Sequence, residues 1–188
     1  AVMPPRVECH RAISNVLVAS DFVESITHTL VSDREAAPFL ASGQDTMHIT
    51  AGSAPGDAAL RPSVLASLLR VRKHNLDQGL RSLSLFEWGS IFHRVGDDRT
   101  EKRSLALLSD DDGQGVRSLR GVIDRIAALL LGPETQVEVD PGDTPPWYAP
   151  GGRVMINGAC IGWIGRLAPV VTGTWGLDQA MIAAELHL

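Results

Sequence analysis

Apolar positions recur at helical spacing in three stretches of the chain and alternate in several others, and the changes of period mark the elements. Cys9, Ile13, Val16, Leu17 and Ser20 share one helix face, which predicts a first helix over residues 8–21; Phe22 breaks the pattern. Residues 25–31 are rich in β-branched types, with apolar Ile26, Leu30 and Val31, and predict a strand; Asp33 is placed to cap a short helix over residues 34–40. Residues 47–50 predict a short strand and residues 51–56 a loop, after which Pro62 starts a second main helix to about Asn75. Two strands, over residues 83–93 and 102–109, flank a polar hairpin loop at residues 94–101 and are expected to pair antiparallel.

Val116, Leu119, Val122, Ile123, Ile126, Leu129 and Leu130 form the strongest amphipathic stripe of the chain, closed by Gly132-Pro133. A short strand at residues 137–139 and a Pro/Gly-rich loop over residues 141–152 follow. The apolar runs 153–156 and 159–164 flank Asn157-Gly158, a hairpin signal because both positions of a two-residue type I′ turn need φ > 0. Residues 180–188 predict a last strand, with Ile182, Ala184, Leu186 and Leu188 on one face. Hairpin-linked strands with few parallel crossovers imply an α+β domain whose mainly antiparallel sheet carries helices on one face.

Composition narrows the class. At 188 residues, 44% hydrophobic and 21% charged, the chain is expected to form a single domain, residues 1–188, with a sizeable core. A net charge of −5 argues against a general nucleic-acid coat. Cys9 and Cys160 lack metal or redox spacing, which fits structural thiols in a reducing cytoplasm. No apolar run approaches the roughly 20 residues of a membrane span, and Ala1-Val2-Met3-Pro4-Pro5 lacks the regions of a signal peptide, so a soluble, unexported chain is expected. Its last residues, Glu185-Leu186-His187-Leu188, read as the middle of a strand, which predicts a piece of something longer.

Leu60-Arg61-Pro62-Ser63-Val64-Leu65-Ala66-Ser67-Leu68-Leu69, followed after Asn75 by Leu85-Phe86-Glu87-Trp88-Gly89-Ser90-Ile91-Phe92-His93, resembles the L-R-x-S-L-L-x-x-L-L … N … L-F-E-x-G-x-x-F run of the bacterial phenylalanyl-tRNA synthetase β subunit. Pro150-Gly151 and the run from Asn157-Gly158 to Pro169 resemble that family's P-G … N-G-x-x-I-G-x-I-G-x-L-x-P segment. Its N-P-L is replaced by Ala51-Gly52-Ser53 and its L-H-P by Leu167-Ala168-Pro169. The resemblance implies a class II aminoacyl-tRNA synthetase fold over nearly the whole chain. Residues 8–31 take the place of motif 1, the dimer-interface helix and strand, with Ile13, Val16, Leu17 and Ser20 as interface positions; residues 86–109 match motif 2, and residues 116–132 the helix after it. The family's editing pocket and structural magnesium site belong to preceding segments.

The same comparison argues against catalysis. A working motif 2 carries an Arg directly after an aromatic, with an acid two residues on, to neutralise the α-phosphate of ATP and orient adenine. Phe92-His93-Arg94-Val95 puts His93 at the Arg and Val95 at the acid, and alternation turns Arg94 to the other sheet face unless a bulge intervenes. Motif 3 needs a Gly-rich turn and an Arg, and residues 179–188 contain neither. No catalytic, cofactor or metal residue is therefore assigned, and ATP and Mg²⁺ belong to the parent complex.

Other candidates have plainer readings. Asp110, Asp111, Asp112, Asp97 and Asp98 lack a calcium-loop ladder and read as solvated turns. His10, His28, His48, His74, His93 and His187 show no metalloprotease spacing; Ser63 reads as a helix cap. Arg61, Arg70, Arg72, Lys73 and His74 form the densest basic cluster, read as a solvated helix face in preference to an RNA contact. Trp147-Tyr148, Trp163 and Trp175 read as core or interface anchors in preference to a recognition pocket. Two functions remain. One is a non-catalytic module of the ligase β subunit, supporting an α subunit that charges tRNA(Phe) with phenylalanine, with homodimerisation of the isolated fragment as a side effect. The other is a free-standing class II-like ligase or acyl transferase with an altered site.

Overall fold

The computed structural model describes residues 5–49 and 59–187, with side chains from Val7 onward. The loop expected at residues 51–56 lies outside them. The sheet is built first from hairpins. β5 (Ser84–Val95) and β6 (Asp98–Asp110) pair antiparallel from Leu85↔Leu108 to Val95↔Asp98. The expected eight-residue polar loop is thus mostly strand, closed by Gly96-Asp97 alone, with Gly96 at φ 58°. The polar residues there are exposed ladder positions, whose composition mimics a loop.

β7 (Val137–Asp140), β8 (Tyr148–Ile156) and β9 (Ala159–Leu167) form a meander. β10 (Met181–Leu186) closes the gap between β6 and β9, antiparallel to both. β1 (Phe22–Glu24) adds an edge strand parallel to β5, giving the order β1-β5-β6-β10-β9-β8-β7. A small second sheet, β2 (Leu30–Val31), β4 (Ala59–Leu60) and β3 (Met47–His48), stands apart in the order β2-β4-β3.

Among the described residues five α-helices surround these strands: α1 (Pro5–Val18), α2 (Asp33–Ala36), α3 (Val64–Asp77), α4 (Val116–Leu131) and α5 (Pro169–Gly173), with a 3₁₀ turn Ala37–Phe39 after α2. Helices cover both sheet faces, a correction to the one-sided expectation. On one face Leu65, Leu68 and Leu69 of α3 pack with Phe39, Leu85, Ala106, Leu108, Met181 and Ala183. On the other, Ile13 and Leu17 of α1 and Leu119, Ile123 and Ile126 of α4 pack with Phe86, Leu105, Leu107, Ile182 and Ala184. β10 is buried at all six positions: Ile182, Ala184 and Leu186 share one face, as expected, and Met181 and Ala183 pack on the other. A central strand covered twice reads as a continuous apolar run.

Several boundaries also move. α1 begins at Pro5 and ends at Val18, and Phe22, expected only to break a helix, is buried and opens β1 after Asp21 turns the chain at φ 63°. Of the strand expected over residues 25–31, only Leu30 and Val31 pair; Ile26 is 93% exposed. Ser32 rather than Asp33 caps α2, through a capping box with Glu35. Ser63 caps α3, accepting from Leu65 N at 3.1 Å, and Pro62 precedes the cap. The 141–152 loop yields its second half to β8, whose Tyr148 pairs with Leu167. Asn157 and Gly158 sit at φ 50° and 78°, the two-residue turn their sequence predicts. Among the described residues no helix is long and apolar enough to cross a membrane.

Candidate functional site

The sheet face beneath α3 carries the odd-numbered positions of the motif 2-like strand, and its side chains fill it from within. Alternation along β5 sends Glu87, Gly89, Ile91 and His93 toward this face. Arg61, on the approach to α3, lies flat across it. Its Nη1 donates to Glu87 Oε1 at 2.8 Å and to Thr27 Oγ1 at 2.8 Å, and its Nε donates to Ser90 O at 3.1 Å. Thr27 Oγ1 in turn donates to Glu87 Oε2 at 2.8 Å. Arg61 and Glu87 are each 2% exposed. A charge so buried needs a partner at hydrogen-bond distance, and each supplies the other's.

Gly89 makes this arrangement possible: a Cβ there would stand 1.9 Å from Arg61 Nη2. Glu185 of β10 fills the neighbouring space. It accepts from Ser63 Oγ at 2.7 Å and from Val64 N at 2.8 Å, so the carboxylate closes the N-terminus of α3 from inside the protein. Burial raises its pKa, and the hydrogen bonds from Ser63, Val64 and Ser104 and the charge of Arg61 partly offset this. Trp147, Tyr148 and Trp175 join Phe39 in an aromatic group at the far end of the same core, with Phe39 5.7 Å from Trp147 and 6.0 Å from Trp175 between ring centroids. They are anchors of the core. Burial, with Glu185 nearby, pushes the Tyr148 hydroxyl well above its ordinary pKa.

The motif 2-like string lies at the open end of this face. Phe92 is half-buried and its N donates to Arg61 O at 2.9 Å. His93 faces the α3 side; burial and the Lys102 charge lower its pKa. The ladder passes regularly through Arg94↔Arg99 to Val95↔Asp98, so no bulge returns Arg94 to that side. Arg94 instead reaches Asp45 at 3.3 Å, and Val95 is exposed. The string brings no guanidinium onto the face.

The motif 1-like residues divide. Ile13 and Leu17 are buried in the chain's own core, Val16 is half-buried, and Ser20 Oγ donates to Val16 O at 2.6 Å. The outward surface carries different residues: Val7, Arg11 and Val18 on α1, Val23 on β1, and Ile26 just beyond. His10 stacks on Trp88 at 4.6 Å beside them.

The basic cluster does not form a patch. Arg61 and Arg72 are buried; Arg72 Nε donates to Asp110 Oδ1 at 3.0 Å and its Nη2 to Arg81 O at 2.8 Å, tying the end of α3 to the sheet. Arg70 grips Glu35, and Lys73 meets Asp77 at 2.5 Å. Of the acidic run, Asp110 serves Arg72 and Asp111 pairs with Arg166. Among the described residues no group of His, Cys, Asp or Glu is arranged to hold a metal ion.

Sequence reasoning missed the Arg61–Glu87 pair. A signal was present: Glu87 stands inside Leu85-Phe86-Glu87-Trp88-Gly89, where a lone charge in an apolar strand demands a partner.

Comparison with known proteins gives a consistent picture. The family model for the phenylalanyl tRNA synthetase beta chain CLM domain matches residues 2–188. Phenylalanine–tRNA ligase beta subunits from Staphylococcus aureus, including strains COL and MRSA252, are 25% identical over 185 residues, covering 92% of this chain. The chain spans 23% of the length of those relatives. Among solved structures, the Desulfitobacterium hafniense pyrrolysyl tRNA synthetase PylSc superposes with a TM-score of 0.77 at 13% identity, covering 98% of this chain and 66% of that one. That likeness shows the fold: α+β, with the class II synthetase arrangement of a mainly antiparallel sheet flanked by helices.

Proposed function

The chain belongs to the family of the phenylalanyl tRNA synthetase beta chain CLM domain, and from that membership we propose that it is a non-catalytic, catalytic-like domain that supports assembly of a phenylalanine–tRNA ligase. In this reading an α subunit carries ATP, Mg²⁺ and the chemistry, tRNA(Phe) is engaged through the whole complex, and the complex works in the cytoplasm. The observation that carries it is the filled face. Arg61–Glu87 and Ser63–Glu185 occupy the volume above β5 and β10 where substrates would otherwise meet the sheet. The positions that a working motif 2 gives to a phosphate-binding Arg and an adenine-orienting acid are His93 and Val95.

Support for the assembly role comes from the apolar residues left outward on and beside α1 and β1, where Val18, Val23 and Ile26 are 58%, 52% and 93% exposed. Exposed aliphatics on two consecutive elements leave apolar area for a protein partner. The domain is expected to give only background phenylalanine-dependent exchange of pyrophosphate into ATP. Exchange well above background from protein free of contaminating synthetase contradicts the reading.

A further inference from the structure

The apolar stripe of α4 outruns the core it serves. Ile123, Ile126 and Ala127 are buried, whereas Leu129, Leu130 and Leu131 in the last turn are 50%, 37% and 58% exposed. Positions 123, 126, 127 and 130 share one helix face, so the stripe that seals the sheet continues past it into solvent. Beneath its end the strands also stop: Asn157-Gly158 turns the chain between β8 and β9, Ile156 lies opposite Ala159, and Leu186 ends β10. Between the helix and the strand ends runs a groove of about 450 Å³, walled by Ile123, Ile126, Leu130, Ile156, Ile161 and Leu186. Among the described residues Asn157 is its one polar lining residue.

The rim at this end is negative. α4 has no basic residue in its last turn, so the partial negative charge of its final carbonyls is unanswered. Glu134 follows soon after, and with Glu138 it lines an adjoining depression that shares Asn157 with the groove. Neither glutamate has an ion pair among the described residues. Arg120 is turned to Asp124 at 3.8 Å and to Val137 O at 2.8 Å, and Arg125 to Gly121 O at 3.3 Å. The backbone of β8 is paired on both sides, by β7 and β9, and that of β9 by β8 and β10. A segment seated in the groove therefore gains no ladder hydrogen bonds and must satisfy its own backbone, which a helix does.

We propose that the groove docks an amphipathic helix from another part of the same β subunit, one that seats aliphatic side chains at i, i+3 and i+4 between α4 and the strand ends and lays a Lys or Arg over Glu134 and the last turn of α4. An exposed apolar patch with a charged rim marks such a contact. This region spans 23% of the matched relatives' length, so more than three quarters of such a subunit is available to supply the helix. Tethering in one chain raises its local concentration at the groove. Docking here goes beyond the α-subunit contact and does not depend on it, because β1 edges the other side of the sheet, with β5 and β6 between it and β10.

The test is hydrogen exchange of the full-length β subunit without the α subunit, read by mass spectrometry. One stretch outside this domain, with the aliphatic spacing and a Lys or Arg, is expected to be protected. Leu131→Asp is expected to speed its exchange about tenfold or more, while peptides of β6 and β10 keep their protection. Glu134→Lys, which leaves the apolar walls intact, is expected to release the same stretch in part, and Val23→Asp on the other surface is expected to leave it protected. Unchanged exchange outside the domain after both groove substitutions, release of a stretch without a Lys or Arg, or equal release by Val23→Asp overturns the proposal. Protection that arises only with the α subunit, or that grows with protein concentration as for a second copy, overturns it too.

Discussion

Gly89 permits the filled face because it has no side chain where the Arg61 guanidinium passes. A Cβ at this position would meet Nη2 at 1.9 Å, Cζ at 2.9 Å and Val64 Cγ2 at 3.1 Å. Gly89→Ala is therefore expected to cost about 1–3 kcal/mol by overpacking. Arg61→Met strands the Glu87 carboxylate and is expected to cost about 3–5 kcal/mol, whereas Arg61→Met with Glu87→Met recovers much of it, because an apolar pair replaces a buried ion pair tolerably. Urea unfolding of the three variants measures these differences. Glu35 gives a second expectation at this scale. Burial acts to raise its pKa, but Arg70 and the Ser32 donors outweigh it and bring it to about 2. A folded pKa below the ordinary 4.5 means that the stabilisation is complete above about pH 4.5 and is lost as pH falls through about 2. The Glu35 carboxyl resonance is expected to titrate near 2; a midpoint near 4.5 removes the Arg70 clamp from the account.

At the level of elements, the turn between β8 and β9 fixes register through Gly158 at φ 78°. Gly158→Val is expected to lower stability by about 1–2 kcal/mol or more, since a β-branched residue is disfavoured at positive φ. A neutral result in thermal unfolding contradicts that turn. The same turn was legible because Asn-Gly between apolar runs has a local cause. α4 was legible for a similar reason, its stripe spanning four turns. β1 was not: its three residues are a strand only because β5 offers a parallel edge, and the β-branched run after it misleads. The helices on both faces were equally hidden, since burial of β10 on two sides depends on elements far apart in sequence. At the site, the loss of a motif 2 Arg was readable from Phe92-His93-Arg94-Val95, whereas the Arg61–Glu87 pair joins residues 26 apart and needed the fold.

Across the whole molecule, the chain keeps the layered sheet of a class II synthetase while its own side chains occupy the α3-side face and its apolar surface is turned outward at α1 and β1. The helix residues first expected at an interface, Ile13 and Leu17, hold the domain together. The outward positions Val18 and Val23 do not, so their substitution is expected to alter stability by no more than about 0.5 kcal/mol. This separates assembly from folding. The most direct measurement is co-purification of an α subunit with a β subunit carrying Val18→Asp and Val23→Asp. The account expects the domain to unfold at an unchanged temperature and recovery of the α subunit to fall sharply; undiminished recovery contradicts it.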